Sequence, residues 1–289
     1  MNIGRLAAIT LIAAACLCRA RPVRADNYAL IVSGASGGPS YAEKYDRWRT
    51  TLETTLTSKF GYPADHVMTL SEASKAQVER ALRDLRMRMT RDDLVFVALI
   101  GHGADEKLNL VGPDMSATDW AAQLRPIPGR IVFADMTSSS FAFMRRLTGP
   151  GRIVITANDS AAQQFEAVFP EFFIKALTDV TADTDKDGRV SVFEAFQYAT
   201  ANVRASFDRQ NQLPTEHALL DDEGVARMTF LQPRAGQAND PVAKRQADIE
   251  SAIADLRSRR AAMSAAAYDA EMERLLTELA RLSAQTRPR

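Results

Sequence analysis

Cysteine is nearly missing from this chain: there are two in 289 residues, Cys16 and Cys18, and both fall within the first 25 positions. A protein cut after Ala25 would hold none, which excludes a disulfide framework and a thiol nucleophile in the mature chain. Long apolar runs are lacking too. The most hydrophobic stretch, Leu6 to Cys18, is shorter than the roughly 20 residues that a membrane span needs. A basic start, Met1 to Arg5, precedes it and a small-residue site, Val23-Arg24-Ala25, follows. The pattern predicts a secretory signal peptide over residues 1–25, hence a periplasmic or secreted protein with no transmembrane segment after processing. Arginines 19, 21 and 24 make the cleavage region atypical, and lipoprotein processing at Cys16 in "IAAAC" is the alternative. Nor is there a surplus of basic charge. The chain balances 36 Lys and Arg against 36 Asp and Glu, and loss of the leader's four arginines (5, 19, 21 and 24) leaves about −4, which argues against a nucleic-acid partner.

What remains has ordinary globular composition, 46% hydrophobic and 25% charged, and is long enough for one sizeable domain with an appendage. From Tyr28 to Asn158, short β-rich runs alternate with amphipathic segments. They are "YALIVSGA", a helix over 41–60, "HVMTL", a helix over 73–89, "LVFVALIGHG", a helix over 117–124, "RIVFADM", a helix over 141–147, and "RIVITAN". Apolar strands separated by helices predict a mostly parallel sheet covered on both faces, an α/β/α sandwich. Two further helices, over 170–178 and 192–208, flank an acidic loop. The main domain is expected over 26–231, followed by a linker, "QPRAGQANDP", at 232–241. Beyond it, Ile249, Ile253, Leu256, Met263, Tyr268, Met272, Leu275, Leu279 and Leu282 recur at helical spacing. They predict a helical hairpin over 242–289 with its turn near Ser264, which packs on itself or on the main domain, or serves for self-association as a short coiled coil.

The acidic loop carries the sharpest chemical pattern. Asp183, Asp185, Asp187, Gly188 and Glu194 satisfy D-x-D-x-D-G-x5-E, the EF-hand calcium loop, and helices are predicted on both sides of it. Alternate carboxylates converge on a hard cation, Gly188 allows the sharp turn, and Arg189 contributes a backbone carbonyl. Ser191 acts directly or through water, and Glu194 closes the site with two oxygens. Ca2+ is expected rather than Mg2+, because such a cage suits a larger, more adaptable coordination sphere. The competing reading is a solvated acidic turn that caps the following helix.

Two strand ends complete the candidate chemistry. "LVFVALIGHGAD" ends in His102-Gly103, and "RIVFADMTSSSF" runs from Asp135 through Thr137, Ser138, Ser139 and Ser140. Together with "YALIVSGASGG" and "GRIVITANDS", in this order, the chain resembles the legumain-like and caspase-like cysteine peptidases over roughly residues 28–226. The resemblance implies a caspase-like three-layer α/β/α fold with His102 as the dyad histidine and Gly103 as the glycine after it. It makes Asp135 the acidic residue ahead of the nucleophile and puts Thr137 at the cysteine position, or Ser138 if the alignment slips by one. Gly103, Asp135 and Ser139 then line a cleft for a substrate or partner. Ser140 stands where a glycine is usual. Without the thiol, a hydroxyl would need a base oriented by a third group, and the sequence names none. The expectation is therefore an exported, catalytically inactive relative that binds calcium and a peptide or protein partner. The alternatives are a hydrolase using Ser138 or Thr137 with His102, and a structural protein of envelope assembly. The hydroxyl run also reads as an N-cap for the helix starting at Phe141. His66 reads as a surface residue entering a strand, and His217 as structural or, with its neighbours in "TEH", as lining the cleft.

Overall fold

The structure, a computed structural model, describes residues 25–160, 166–233 and 241–286. The leader expected at 1–25, save Ala25, and most of the linker expected at 232–241 lie outside these residues. Among the described residues, no helix is long and apolar enough to cross a membrane.

The protein is α/β with a mostly parallel central sheet. Its strands are β1 (Asn27–Ser33), β2 (Val67–Leu70), β3 (Leu94–Ile100), β7 (Arg130–Asp135), β8 (Arg152–Thr156) and β9 (Leu219–Asp221), in the spatial order β2-β1-β3-β7-β8-β9. The first five are parallel and β9 closes the edge antiparallel to β8. Every residue of β3 is buried, as expected for a central strand covered on both faces. Alternation along the strands divides the core. Ala29, Ile31, Phe96, Ala98, Val132 and Ala134 point to one side, where α1 (Pro39–Thr54), α5 (Phe169–Ala176) and α6 (Val192–Arg209) supply Trp48, Leu52, Phe173 and Ala199. Leu30, Val32, Val95, Val97, Leu99 and Phe133 point to the other, against Leu82, Leu85, Trp120 and Phe143 from α2 (Lys75–Arg88), α3 (Ala117–Leu124) and α4 (Phe141–Leu147). Burying each of these large side chains is worth about 1.5–3 kcal/mol.

Two features fall outside the sequence expectation. Between β3 and α3, the chain forms a small antiparallel sheet of β4 (Gly103–Ala104), β5 (Lys107–Leu108) and β6 (Met115–Ser116). Its first turn places Asp105 and Glu106 at positive φ, 49° and 62°, the twist that a two-residue hairpin demands. The second is β9 itself, drawn from "LLD", too short to show a period. At the C-terminus, α7 (Pro241–Ser258) and α8 (Ala265–Thr286) bury Ile249, Ile253, Leu256 and Leu275 together, with Met228 of the preceding segment packed against them. Arg257 also donates to the Gly224 carbonyl, tying α7 to the loop after β9.

Candidate functional site

β3 and β7 are neighbours, so the residues beyond their C-terminal ends meet. Met136 N–H still reaches the Leu99 carbonyl, which carries the pairing to the strand ends. There the Gly103 amide donates to Ser138 Oγ at 3.2 Å, and the same hydroxyl reaches the Gly103 carbonyl at 3.3 Å. Gly103 has no room for a side chain: a Cβ would come within 2.9 Å of the Lys107 carbonyl and of Ser139 Cβ, and within 3.0 Å of Thr137 Oγ1. Of the hydroxyl run, Thr137, Ser138 and Ser140 are buried, and only Ser139 is half-exposed. Thr137 Oγ1 has no hydrogen-bond partner.

Asp135 lies wholly buried at the end of β7. Its Oδ1 accepts from the Thr137 amide at 3.0 Å and shapes the turn, while Oδ2 has no partner. Burial pushes this carboxyl up to about 7, and the hydrogen bond from the Thr137 amide pulls it back only in part. Asn158, just beyond β8, holds the other side of the turn. Its Nδ2 donates to the Ser138 carbonyl at 2.8 Å, and its Oδ1 accepts from Ser140 Oγ and from the Phe141 amide. The N-cap expected of the hydroxyl run is thus supplied from a different strand, since Ser140 occupies the cap position without a side-chain cap bond.

His102 is half-buried and turns toward α1. Its Nε2 lies 3.1 Å from Tyr45 Oη, and its ring meets Tyr41 edge-on at 4.6 Å between centroids. Tyr45 Oη in turn donates to Glu166 Oε1 at 3.4 Å, and Glu166 is paired with Lys44 at 2.9 Å. The Tyr45 hydroxyl thus lies between Nε2 of His102 and the Glu166 carboxylate. Burial, followed by the Glu166 charge, raises the Tyr45 pKa and keeps the phenol neutral. Sequence reasoning missed Tyr45, Glu166 and Asn158. Tyr41, Tyr45 and Trp48 share a helical face whose spacing reads as core, and Asn158 carried a signal only as a polar residue ending a buried strand. His66 stacks on Tyr28 at 4.3 Å, and His217 is exposed.

The second candidate site is the loop between α5 and α6. One carboxylate oxygen from each of Asp183, Asp185 and Asp187 lies within 4.8 Å of the others, so this triad can hold a metal ion. The loop is pre-shaped by its own backbone: the Asp187 and Gly188 amides donate to Asp183, and Gly188 takes a φ of 89°. Burial, followed by the charges of Asp187, Glu194 and Asp183, raises the Asp185 carboxyl, so the clustered charges oppose one another. Glu194 is not part of the triad. One of its oxygens accepts from the Thr184 amide and hydroxyl at 2.9 Å, and the other accepts from Ser191, which caps α6 in return. Arg189 faces Asp187 at 3.8 Å and Glu250 of α7 at 4.0 Å, with its guanidinium 3.4 Å from the Phe230 ring centroid. A β-bridge from Ser191 to Phe230 fastens the loop to the segment before 231.

Compared with protein-family models and with curated proteins, the chain matches none.

Proposed function

We propose that the protein is a caspase-like and legumain-like relative that has given up covalent catalysis and acts as an exported calcium-binding module for a peptide or protein partner. The strand order, with a histidine beyond β3 and a hydroxyl turn beyond its neighbour β7, supports the family reading. One observation carries the loss of catalysis: among the described residues, no hydroxyl at the nucleophile position is hydrogen-bonded to the imidazole. Nε2 of His102 faces Tyr45, Ser138 faces the Gly103 backbone, and Thr137 is sealed from solvent. An activated hydroxyl needs its base within about 2.6–3.2 Å. In place of attack, the rim of Gly103 and Ser139, with Asp135 beneath it, offers polar edges to an extended chain.

Asp183, Asp185 and Asp187 would hold Ca2+ directly. Glu194, the Arg189 carbonyl and Ser191 would complete the shell after Glu194 exchanges its Thr184 and Ser191 donors for the cation. The ion would neutralise carboxylates that now repel. A C-terminal helical hairpin of α7 and α8 accompanies this module.

The test is covalent labelling of the full chain by a fluorophosphonate probe. No labelling above the heat-denatured control is expected. Labelling that disappears in His102→Ala would establish a hydrolase instead.

A further inference from the structure

The sheet end opposite the hydroxyl turn carries a different chemistry. A cleft of about 300 Å³ opens there between the C-terminal ends of α3 and α4 and the start of β8, and Arg125, Arg146, Arg152 and Thr148 line it. Some arginines elsewhere have carboxylate partners, such as Arg49 with Asp46 and Glu53, Arg88 with Asp65, and Arg245 with Glu278. Among the described residues, no carboxylate pairs with Arg125, Arg146 or Arg152. Arg152 is set in place by its bond to the Leu147 carbonyl at 3.3 Å. Burial first, and the Arg125 charge second, lower its pKa, so these two cations lie close enough to repel.

Arginine at a helix C-terminus answers the exposed carbonyls there, and that explains Arg125 after α3 and Arg146 in the last turn of α4, each taken alone. It does not explain why both converge on a third arginine that begins a strand. Three like charges in one concavity raise the local positive potential, which an anion entering among them would meet. Planar guanidinium groups match the tetrahedral oxygens of a phosphate with paired hydrogen bonds, and the Thr148 hydroxyl adds one more donor. We propose that this cleft binds a phosphate group, presented either as free phosphate or pyrophosphate or as the phosphomonoester headgroup of a lipid.

The experiment titrates the full chain with sodium pyrophosphate at constant ionic strength, by calorimetry and by melting. A parallel arm measures sedimentation with vesicles of phosphatidylcholine, with and without phosphatidic acid. Pyrophosphate is expected to raise the melting temperature where the same ionic strength of chloride does not. The double variant Arg125→Gln/Arg146→Gln is expected to bind at least roughly tenfold more weakly, since each charge-assisted bond lost is worth about that factor. Arg47→Gln, on exposed α1 surface, should bind as the wild type does. A response to pyrophosphate assigns the free ligand, and a response confined to phosphatidic-acid vesicles assigns the lipid. Equal binding by the double variant, an equal effect of chloride, or no response to either phosphate source would overturn the proposal.

Discussion

Replacing Asp135 with asparagine isolates the cost of burying a carboxyl beneath the hydroxyl turn. The side chain is inaccessible, one oxygen has no partner, and the group is carried from 3.8 to about 7. At ~1.4 kcal/mol per pKa unit, the ionised form costs the folded state roughly 4 kcal/mol relative to the unfolded chain, an upper bound because water penetration softens such penalties. The sign follows from the raised value. The folded protein holds this proton more tightly than the unfolded chain does, so the contribution is complete below about pH 4 and is lost as the pH climbs to about 7. Asparagine keeps an oxygen for the Thr137 amide and never ionises. Urea unfolding followed by tryptophan fluorescence should therefore show Asp135→Asn about 2–4 kcal/mol more stable than the wild type at pH 8, with the gap closing toward pH 4. Glu216, which burial also raises to about 7 while it caps α5 through the Val168 and Phe169 amides, titrates in both proteins and cancels in the difference. A gap that does not change with pH would refute a proton held on buried Asp135.

Calcium at about 100 times its Kd should stabilise the fold by roughly 2.7 kcal/mol, read as a raised melting temperature. Asp187→Asn and Glu194→Gln should each remove most of that increment, and identical melting in calcium and in chelator would leave the loop as an acidic helix cap. Gly103→Ala should cost about 1–3 kcal/mol in chemical denaturation, because the Lys107 carbonyl and the hydroxyl turn leave no space for a methyl group; a neutral result would mean that the turn yields freely. In a chain freed of its leader cysteines, Ser139→Cys should react with a thiol reagent at least about tenfold faster than Thr137→Cys, since accessibility limits thiolate attack. Equal rates would place Thr137 at the surface.

The sequence displays much of this architecture because the signals are strong where burial is complete. The apolar runs of β1, β3, β7 and β8 leave no other use for those residues, and the helices expected over 117–124 and 141–147 form over those same residues. The short strands escaped notice, as two- and three-residue pairings carry no periodicity and are selected by neighbours distant in the chain. The candidate site was half legible. His102 and the hydroxyl run stand at strand ends where polar residues are conspicuous, whereas the partners that decide their chemistry sit on α1 and beyond β8. Tyr45 looked like core, and it is core, with its one polar atom turned toward the imidazole. The acidic loop was legible as a pattern, but its side chains compete: Glu194 serves the helix cap and the loop amides as well as any cation.

The antiparallel strand β9 also sets an order of events. β8 is made early, yet its outer edge waits for a partner that follows α5, the acidic loop and α6 in the chain. Until Leu219–Asp221 arrives, β8 offers unpaired amides and carbonyls beside an apolar core, the template on which another chain can add. Closing that edge means first bringing together residues far apart in sequence, at an entropic cost that a well-formed intervening loop reduces. An ion that fixes residues 183–194 would then guard the newly made protein against self-association during its passage to the native state, a role in assembly distinct from any in the finished molecule.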